Sequence, residues 1–464
     1  MLSGVNMKSI GLDIGTTTVC GIVVDVSNGT VLEALTLAND SGIATESEFA
    51  RLQDAKRIMS ICEQIVNGMI EKYNDVVAIG VTGQMHGIVY LDAEGNAVSP
   101  LYSWQDERGN QQYQNGQTYS EYLSAATGYQ MATGYGLTTH FYNEVNKLIP
   151  AMAVCFCTIA DYVAMHLAES KKPIMHKSMA ASMGMFNVEM GNFDMAAIAK
   201  TEMEQKYFPS VSNEENIYGK NARGISVSIA LGDNQASFLG SVSGDSNILV
   251  NVGTGSQISV FTERFDKAIK VEYRPFIGDT FLMVGAPLCG GSAYAMLKNF
   301  FENVLKMFGC EVPDHFYEIM NQAADSVYDQ EDSLVADTRF NGTRADPTWR
   351  GSIGQIGGKN GNPEALTLAV LRGICGELFD IFEQMPEQDK SFDVIIGSGN
   401  GIRQNPVLQR IVADTFARSL VIPEFSEEAS YGAALHGLYC SGKIPDLDSV
   451  KEMIRAKVVV NNSD

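Results

Sequence analysis

The chain has 464 residues, 55 of them acidic and 33 basic, which gives a formal charge of −22, and 45% of its residues are hydrophobic. This length predicts two or three domains with large buried cores and excludes a disordered or fibrous chain. Because no basic stripe interrupts the acidic composition, nucleic acids and anionic membranes are not expected partners.

The cysteines and the N-terminal segment bear on the cellular compartment. The eight cysteines are scattered, with no CxxC motif, which favours a reduced, cytoplasmic setting. The first ten residues, MLSGVNMKSI, lack the basic start and apolar core of a signal peptide, and the longest apolar run, 151–160, stops at Asp161. We therefore expect a soluble cytoplasmic protein.

An internal repeat organises the chain. Residues 10–24 read IGLDIGTTTVCGIVV and residues 248–262 read ILVNVGTGSQISVFT. Each copy predicts a hairpin with a Gly-Thr turn between two strands. The copies lie about half the chain apart, so we predict a duplicated domain, with one such hairpin opening each of two similar lobes that face each other.

Strand-like runs alternate with helical stretches, which predicts α/β lobes with helices covering central sheets. The strand-like runs are 76–81 and 392–396, and the helical stretches are 51–72 and 363–385. We place the N-terminal lobe at 1–241 and the C-terminal lobe at 242–464, joined by a short connection near 241–247. The polar, turn-rich segment 104–130 is expected to be an insertion on a lobe surface.

The two Gly-Thr turns are suited to binding phosphates. In Asp13–Thr18 the glycine lets backbone N–H groups approach an anion, and the threonine hydroxyls add donors without charge. An acid before such a turn can hold Mg²⁺. In the second turn, 251–255, Asn251 replaces the acid, so the first lobe is predicted to handle the metal and the second the terminal phosphates. For one turn alone, an ordinary hairpin is an equally good interpretation.

A candidate general base follows a predicted strand. In ALGDNQASFLGS (230–241), Asp233 stands at a strand-to-helix junction, where a carboxylate could take a proton from an attacking hydroxyl. A helix N-cap is the alternative role for this aspartate.

Two segments suggest recognition of a sugar. The stretch GVTGQMHGIVYLD (80–92) predicts a turn carrying Gln84, Met85 and His86, which suits a polyol; a hairpin with a buried methionine and a surface histidine is the alternative. In SWQDERG (103–109), an extended backbone would put Trp104, Asp106 and Arg108 on one side, an arrangement that can hold a sugar.

Near the C-terminus, residues 395–416 predict a strand, a glycine-rich turn and a helix. Gly399 and Gly401 could let the flat adenine ring lie on the backbone, or they could serve only the packing of strand, turn and helix. The segment matches neither the dinucleotide-binding fingerprint nor the Walker A loop.

Taken in order, these segments resemble the FGGY family of carbohydrate kinases over essentially the whole chain. The resemblance implies an α/β fold of two duplicated actin/hexokinase-like (ribonuclease H-like) lobes around an inter-lobe cleft, which bind ATP and Mg²⁺. It assigns the metal to Asp13, the phosphates to Gly15, Thr16, Thr17, Gly253, Thr254 and Gly255, the catalytic base to Asp233, a substrate contact to Asn234, the nucleotide's surroundings to Gly290 and Gly291, and the adenosine to Gly399 and Asn400.

Two further segments carry the resemblance. The stretch FNGTRADPTWRGSIGQI (340–356) resembles the family's Gly-x-Arg-x-Pro…Arg-Gly segment, and EEASYGAALHG (427–437) resembles the small-residue helix that closes the nucleotide side. The family's commonest assembly, a homodimer, is the expected one.

Details of sequence point to one branch of the family, which phosphorylates the ketose sedoheptulose at a terminal hydroxyl. They are TGQMHGIV (82–89), WQDERG (104–109), ATGYG (132–136), DYV…H (161–166) and GSGNGIRQNPVL (397–408). His140 aligns near an aromatic substrate contact of relatives. The alternatives are a kinase for xylulose, gluconate or another polyol, a non-catalytic sugar or nucleotide sensor, and an ATPase with a protein partner.

Overall fold

The computed structural model describes residues 7–244, 246–331, 333–343, 346 and 348–461. It is a mixed α/β structure with two compact units. The first unit consists of Met1–Gly240, Arg274–Phe281 and Glu427–Ile454, and the second of Ser241–Tyr273, Leu282–Ser426 and Arg455–Asp464. Each unit is therefore discontinuous in sequence. The single boundary predicted after residue 241 stays a prediction.

The strands are β1 (Lys8–Ile14), β2 (Thr18–Asp25), β3 (Val31–Ala38), β4 (Gly42–Ile43), β5 (Leu52–Gln53), β6 (Val76–Gly83), β7 (Val89–Leu91), β8 (Leu101–Tyr102), β9 (Cys155–Cys157), β10 (Ile174–His176), β11 (Phe186–Asn187), β12 (Asn192–Phe193), β13 (Ser210–Ser212), β14 (Ile217–Lys220), β15 (Ser226–Ser228), β16 (Leu231–Gly232), β17 (Ile248–Val252), β18 (Ser256–Thr262), β19 (Glu272–Pro275), β20 (Phe281–Gly285), β21 (Val335–Asp337), β22 (Ser352–Gly354), β23 (Val394–Ser398), β24 (Ser419–Pro423) and β25 (Ala456–Val460).

The helices are α1 (Ala55–Lys72), α2 (Tyr119–Thr127), α3 (Gly136–Val145), α4 (Ile159–Leu167), α5 (Lys177–Ala181), α6 (Met195–Ala199), α7 (Asp233–Ser241), α8 (Gly291–Met307), α9 (Phe316–Ser326), α10 (Pro363–Glu383), α11 (Asn400–Arg403), α12 (Pro406–Phe416), α13 (Glu428–Cys440) and α14 (Leu447–Met453). Among the residues that the structure describes, no helix is both long and apolar enough to cross a membrane.

The sheet of the first unit brings three strand ends to one edge. Its order is β14-β15-β6-β1-β2-β3, with β16 also paired to β6. Strand β6 is parallel to both β1 and β16, and Thr82 of β6 stands opposite Asp13 on one side and Leu231 on the other. Since the carboxyl ends of parallel strands meet at one edge, Asp13 and the residue after β16, Asp233, flank the end of β6.

Helices cover both faces of this sheet. Asp54 caps the N-terminus of helix α1, and its carboxylate accepts hydrogen bonds from the N–H groups of Lys56 and Arg57. Ile65 of this helix lies against Gly21 of β2. Helix α13 covers the other face, where a Cβ atom on Gly11 of β1 would lie 1.8 Å from the carbonyl oxygen of Ser430. Glycine is therefore required where the sheet and α13 make backbone contact.

The second unit repeats the hairpin within a sheet of order β19-β20-β18-β17-β23-β24-β25. Strands β17 and β18 form the antiparallel hairpin, and β23 runs parallel to β17. The first unit has the matching hairpin of β1 and β2. Both predicted hairpins are confirmed. The strand, turn and helix predicted for residues 395–416 are also observed.

The segment 104–130, expected on a lobe surface, is exposed over much of its length but is anchored in the core. Arg108, Tyr119 and Leu123 are buried, and Tyr119 and Leu123 belong to the hydrophobic core of the first unit. Helix α2 within it begins with a capping box of Thr118 and Glu121. Polar residues in this segment bond to one another below the surface, which composition alone does not reveal.

Candidate functional site

The first Gly-Thr turn is fixed by side chains from distant segments. Asn39 donates from Nδ2 to the carbonyl oxygen of Gly15 at 2.8 Å, and Gln53 donates from Nε2 to that of Thr16 at 2.9 Å. Gln84 in turn donates from Nε2 to Oε1 of Gln53 at 2.9 Å. The carbonyl oxygens of the turn are thus engaged by protein amides, which fixes its conformation.

Three acids converge at the sheet edge of the first unit. Asp13 is half-buried, and burial, followed by the negative charges of Asp233 and Glu427, raises its pKa to about 7. Burial likewise raises the pKa of Asp233, whereas the Asn234 N–H group and the Arg274 guanidinium act to lower it. The site therefore concentrates negative charge, which the Arg274 guanidinium opposes at Asp233.

The strand-to-helix junction that presents Asp233 is held on both sides. Thr82 donates from its hydroxyl to the carbonyl oxygen of Leu231 at 2.7 Å, and the Gly232 N–H donates to Oγ of Ser178 at 3.0 Å. One turn into α7, Gln235 donates from Nε2 to the carbonyl oxygen of Pro275 at 3.0 Å. Asp233 is the first residue of that helix, so the predicted junction is observed.

The turn with Gln84, Met85 and His86 lies next to this junction. Gln84 and Met85 are buried, and the methionine sulfur packs within 3.1 Å of the point where a Cβ on Gly232 would stand. His86 has a φ of 72° and is half-buried, not a surface histidine. Its Nδ1 donates to the carbonyl oxygen of Ser182 at 2.6 Å.

The segment from Trp104 to Arg108 is not extended, so the expected alternation along one side is wrong. The chain turns at Ser103 and enters a 3-10 helix at Arg108–Asn110. Trp104 is 46% exposed and donates from its indole to Oγ1 of Thr16 at 2.9 Å. Of the predicted trio it alone is exposed, and it lies against the first turn.

Asp106 and His140 have protein partners in the interior. The Asp106 carboxylate is fully buried and forms a bidentate pair with Arg108 at 2.6 and 3.0 Å, while Oδ2 also accepts from the Arg51 N–H at 3.0 Å. His140 lies 2.8 Å from the Tyr90 hydroxyl through Nδ1, and burial lowers its pKa to about 3. Their assignment as sugar contacts stays a prediction.

In the second unit, the second Gly-Thr turn is joined to the start of α8. The Gly291 N–H donates to the carbonyl oxygen of Gly253 at 2.8 Å, and the Ser292 N–H to that of Thr254 at 2.9 Å. A Cβ on Gly290 would lie 2.4 Å from the carbonyl oxygen of Gly255. The glycine pair at 290–291 is thus what lets the helix N-terminus, with its partial positive charge, reach the turn.

The glycines near residue 400 have a packing role. Gly399 has a φ of 82°, and a Cβ there would lie 2.5 Å from the carbonyl oxygen of Val252; the corresponding distance for Gly401 is 2.7 Å. The packing alternative therefore accounts for both glycines. Gly399 is the residue before α11 and Asn400 begins it, and their contact with an adenosine stays a prediction.

Several residues around the site were missed by sequence reasoning. Asn39 and Gln53 lie in segments with no motif, and Arg274 follows the second hairpin in sequence yet belongs to the first unit. Glu427 was part of a segment noted only for its small residues. In the predicted 340–356 segment, Arg344 and Pro347 lie outside the described residues.

Comparison with known proteins identifies relatives of both halves. The model for the FGGY family of carbohydrate kinases, N-terminal domain, matches residues 9–240, and that for the C-terminal domain matches residues 248–441. Human sedoheptulokinase is 27% identical over 92% of this chain and 96% of its own length, and gluconokinase of Bacillus subtilis strain 168 is 20% identical over 96% and 90%. The crystal structure of xylulose kinase from Rhodospirillum rubrum, 18% identical, superposes with a TM-score of 0.82 over 98% of this chain and 94% of that one.

The raised pKa of Asp13 predicts a measurable cost in stability. Because the pKa of Asp13 is about 7 in the folded protein and near 4 when unfolded, the stability it contributes is present at low pH and is lost as pH rises towards 7. In the absence of divalent ions, Asp13→Asn should therefore be more stable than wild type at about pH 8 and similar at about pH 4. Urea denaturation at the two pH values measures the difference.

Asp40→Asn is the control with the opposite sign, because Arg57 lowers the pKa of Asp40. Asp40→Asn should be no more stable than wild type at the higher pH. An Asp13→Asn protein whose advantage over wild type is the same at both pH values would contradict the electrostatic assignment.

Proposed function

Because this chain belongs to the FGGY family of carbohydrate kinases and is therefore a phosphotransferase that acts on a sugar, we propose that it transfers the γ-phosphoryl group of ATP to a terminal hydroxyl of sedoheptulose, giving sedoheptulose 7-phosphate. The observation that carries the proposal is the pair of acids, Asp13 and Asp233, on either side of the end of β6. One suits a metal ion and the other suits a general base.

Asp233 is the proposed base. Its carboxylate stands at the start of α7, on a junction fixed by Thr82 and Ser178, so its direction is set before substrate binds. Its raised pKa strengthens it as a proton acceptor, while Arg274 favours the charged form that the step requires. Asp233 would orient the attacking hydroxyl and take its proton during transfer.

Asp13 is the proposed metal ligand, directly or through water. A divalent ion fits this position, because its positive charge would offset the desolvation of the Asp13 carboxylate and the repulsion from Asp233 and Glu427, which together raise the pKa of Asp13. Mg²⁺ bound with ATP would neutralise charge on the phosphate oxygens. Asp13 would fix the position of the metal ion relative to Asp233.

The phosphates are proposed to bind uncharged donors. Gly15, Thr16 and Thr17 would supply them in the first unit, and the second Gly-Thr turn would do so with the start of α8. The Oγ of Ser292 is buried without a hydrogen-bond partner among the described residues, so this helix start has donor capacity to spare. We place the adenosine at Gly399 and Asn400, from the family resemblance.

The sugar is proposed to bind beside Asp233. Gln84 and Met85 line the turn next to the Gly232 junction, and Oε1 of Gln84 is buried without a hydrogen-bond partner among the described residues, which suits a hydroxyl donor. His86, Trp104 and Asn234 complete the proposed contacts. Asp106 and His140 stay predicted as further sugar contacts; in the structure the Asp106 carboxylate holds the Arg108 side chain and the Arg51 backbone.

Sedoheptulose is favoured over other substrates by two observations. Human sedoheptulokinase is more similar in sequence than the gluconokinase, and two segments whose sequence pointed to the sedoheptulose branch, 82–89 and 104–109, lie around the proposed site. Xylulose or gluconate is the alternative substrate. A sensor without catalysis is disfavoured because both functional acids, Asp13 and Asp233, are present.

Removing the base should abolish most turnover. General-base catalysis contributes about 10²–10⁴-fold, so Asp233→Asn should lower kcat by that factor and leave ATP affinity nearly unchanged. Coupled ADP release and calorimetric titration with ATP and Mg²⁺ measure the two quantities. Asp25→Asn, at the opposite end of the same sheet, is the matched control and should keep wild-type kinetics. Full kinase activity in the Asp233 variant would show that the base is another residue.

A substrate panel tests the choice of sugar. The panel consists of sedoheptulose, xylulose, gluconate and glycerol, with ADP release measured in the presence of ATP and Mg²⁺. Sedoheptulose should have the highest kcat/KM, because specificity is the ratio of the kcat/KM values of competing substrates. A kcat/KM far higher for the five-carbon ketose than for the seven-carbon one would exclude sedoheptulose as the preferred substrate and leave the kinase assignment intact. No ADP release with any member, at intact ATP binding, would favour the sensor.

A further inference from the structure

A cluster of three metal-ligating side chains lies in the first unit, apart from the residues proposed for catalysis. It consists of Glu215, which precedes β14, and of His436 and Cys440 on α13. Oε2 of Glu215 is 2.6 Å from Nε2 of His436, and that nitrogen is 3.3 Å from the sulfur of Cys440. All three ligand atoms lie within 4.8 Å of one another.

The spacing of the cluster follows from the helix. His436 and Cys440 are four residues apart, so both side chains project from one face of α13. A tetrahedral ion with bonds of about 2.0–2.3 Å needs donor atoms about 3.3–3.8 Å apart. The His436–Cys440 distance already meets this value, and the His436–Glu215 pair needs a movement of less than about 1 Å, which side-chain rotation can supply.

A second layer of hydrogen bonds orients the carboxylate. Oε1 of Glu215 accepts from Nε2 of His176 at 3.0 Å and from the Gly278 N–H at 3.2 Å. His176 is itself held through Nδ1 by the Ser178 hydroxyl at 2.7 Å. These contacts occupy one oxygen of Glu215 and direct the other towards His436, the arrangement that commonly supports a metal-binding carboxylate.

The donor set selects the class of ion. Thiolate and imidazole are soft or borderline donors that favour Zn²⁺ and similar transition metals, whereas Mg²⁺ and Ca²⁺ prefer oxygen ligands. One thiolate, one carboxylate and a neutral imidazole around a divalent ion give a net charge of zero, which suits a buried position. Cys440 is half-buried and gives the ion a route from solvent.

We propose that Glu215, His436 and Cys440 form a binding site for Zn²⁺ or a similar transition-metal ion, distinct from the Mg²⁺ of the kinase reaction. The bound ion joins the segment before β14 to α13, the helix that covers the sheet face beneath Gly11. It therefore stabilises the first unit, and this inference holds whichever sugar the enzyme phosphorylates.

Cobalt substitution tests the site directly. Full-length protein, treated with chelator and freed of any affinity tag, is titrated with Co²⁺ while thiolate-to-cobalt charge-transfer absorption is recorded. We expect saturation at one ion per chain and displacement by Zn²⁺ but not by Mg²⁺. The band should be absent in Cys440→Ser and retained in Cys310→Ser, because Cys310 is an exposed cysteine outside the cluster. No saturable band in wild type, or a band that survives in Cys440→Ser, would overturn the proposal.

A second measurement needs no variant. Zn²⁺ should slow alkylation of Cys440 in the wild-type protein by about tenfold or more, since a metal-bound thiolate is shielded, and should leave Cys310 unaffected. Peptide mass spectrometry follows each cysteine separately. Equal alkylation of Cys440 with and without Zn²⁺ would refute the site even if the substituted proteins failed to fold.

Discussion

The repulsion among half-buried carboxylates at one sheet edge is the constraint on which the proposed site depends. Parallel pairing of β6 with β1 and β16 brings Asp13 and Asp233 to the same strand end, and Glu427 adds to the charge that Asp13 experiences. Burial and the negative charges of Asp233 and Glu427 both disfavour ionisation of Asp13. A divalent ion and a substrate hydroxyl are the partners that this arrangement favours.

Rigid packing maintains this arrangement. Helix α13 contacts the sheet through backbone at Gly11 and Gly80, where a Cβ on Gly80 would lie 1.6 Å from the carbonyl oxygen of Ala433. Helix and sheet therefore cannot slide along or rotate against each other without a steric clash. Glu427 immediately precedes α13, so the same packing that fixes the strands also fixes the third acid. Because the chain's charge is −22, the phosphates of ATP need hydrogen-bond donors that rigid packing of this kind holds in fixed positions.

The sequence predicted the features that depend on short-range patterns. Both Gly-Thr hairpins and the junction at Asp233 follow from strand periodicity and turn residues within about fifteen positions. Asn39 and Gln53, which fix the first turn, were missed because their role depends on tertiary pairing across the chain.

The alternation proposed for Trp104, Asp106 and Arg108 was wrong because it assumed extended backbone, whereas a bidentate ion pair between Asp106 and Arg108 accompanies a turn. The glycines near 400 matched two explanations, and only tertiary contacts revealed their packing role.

Titration of Asp13 tests the central electrostatic claim most directly. Carbon-13 NMR of aspartate carboxyl groups, in metal-free wild type and in Asp233→Asn, gives the pKa of Asp13 with and without the neighbouring charge. Our account predicts a lower pKa in the variant that still exceeds the ordinary aspartate value, because burial remains the larger cause. An unchanged pKa would mean that the two carboxylates do not interact, and the shared site proposed at the end of β6 would be contradicted.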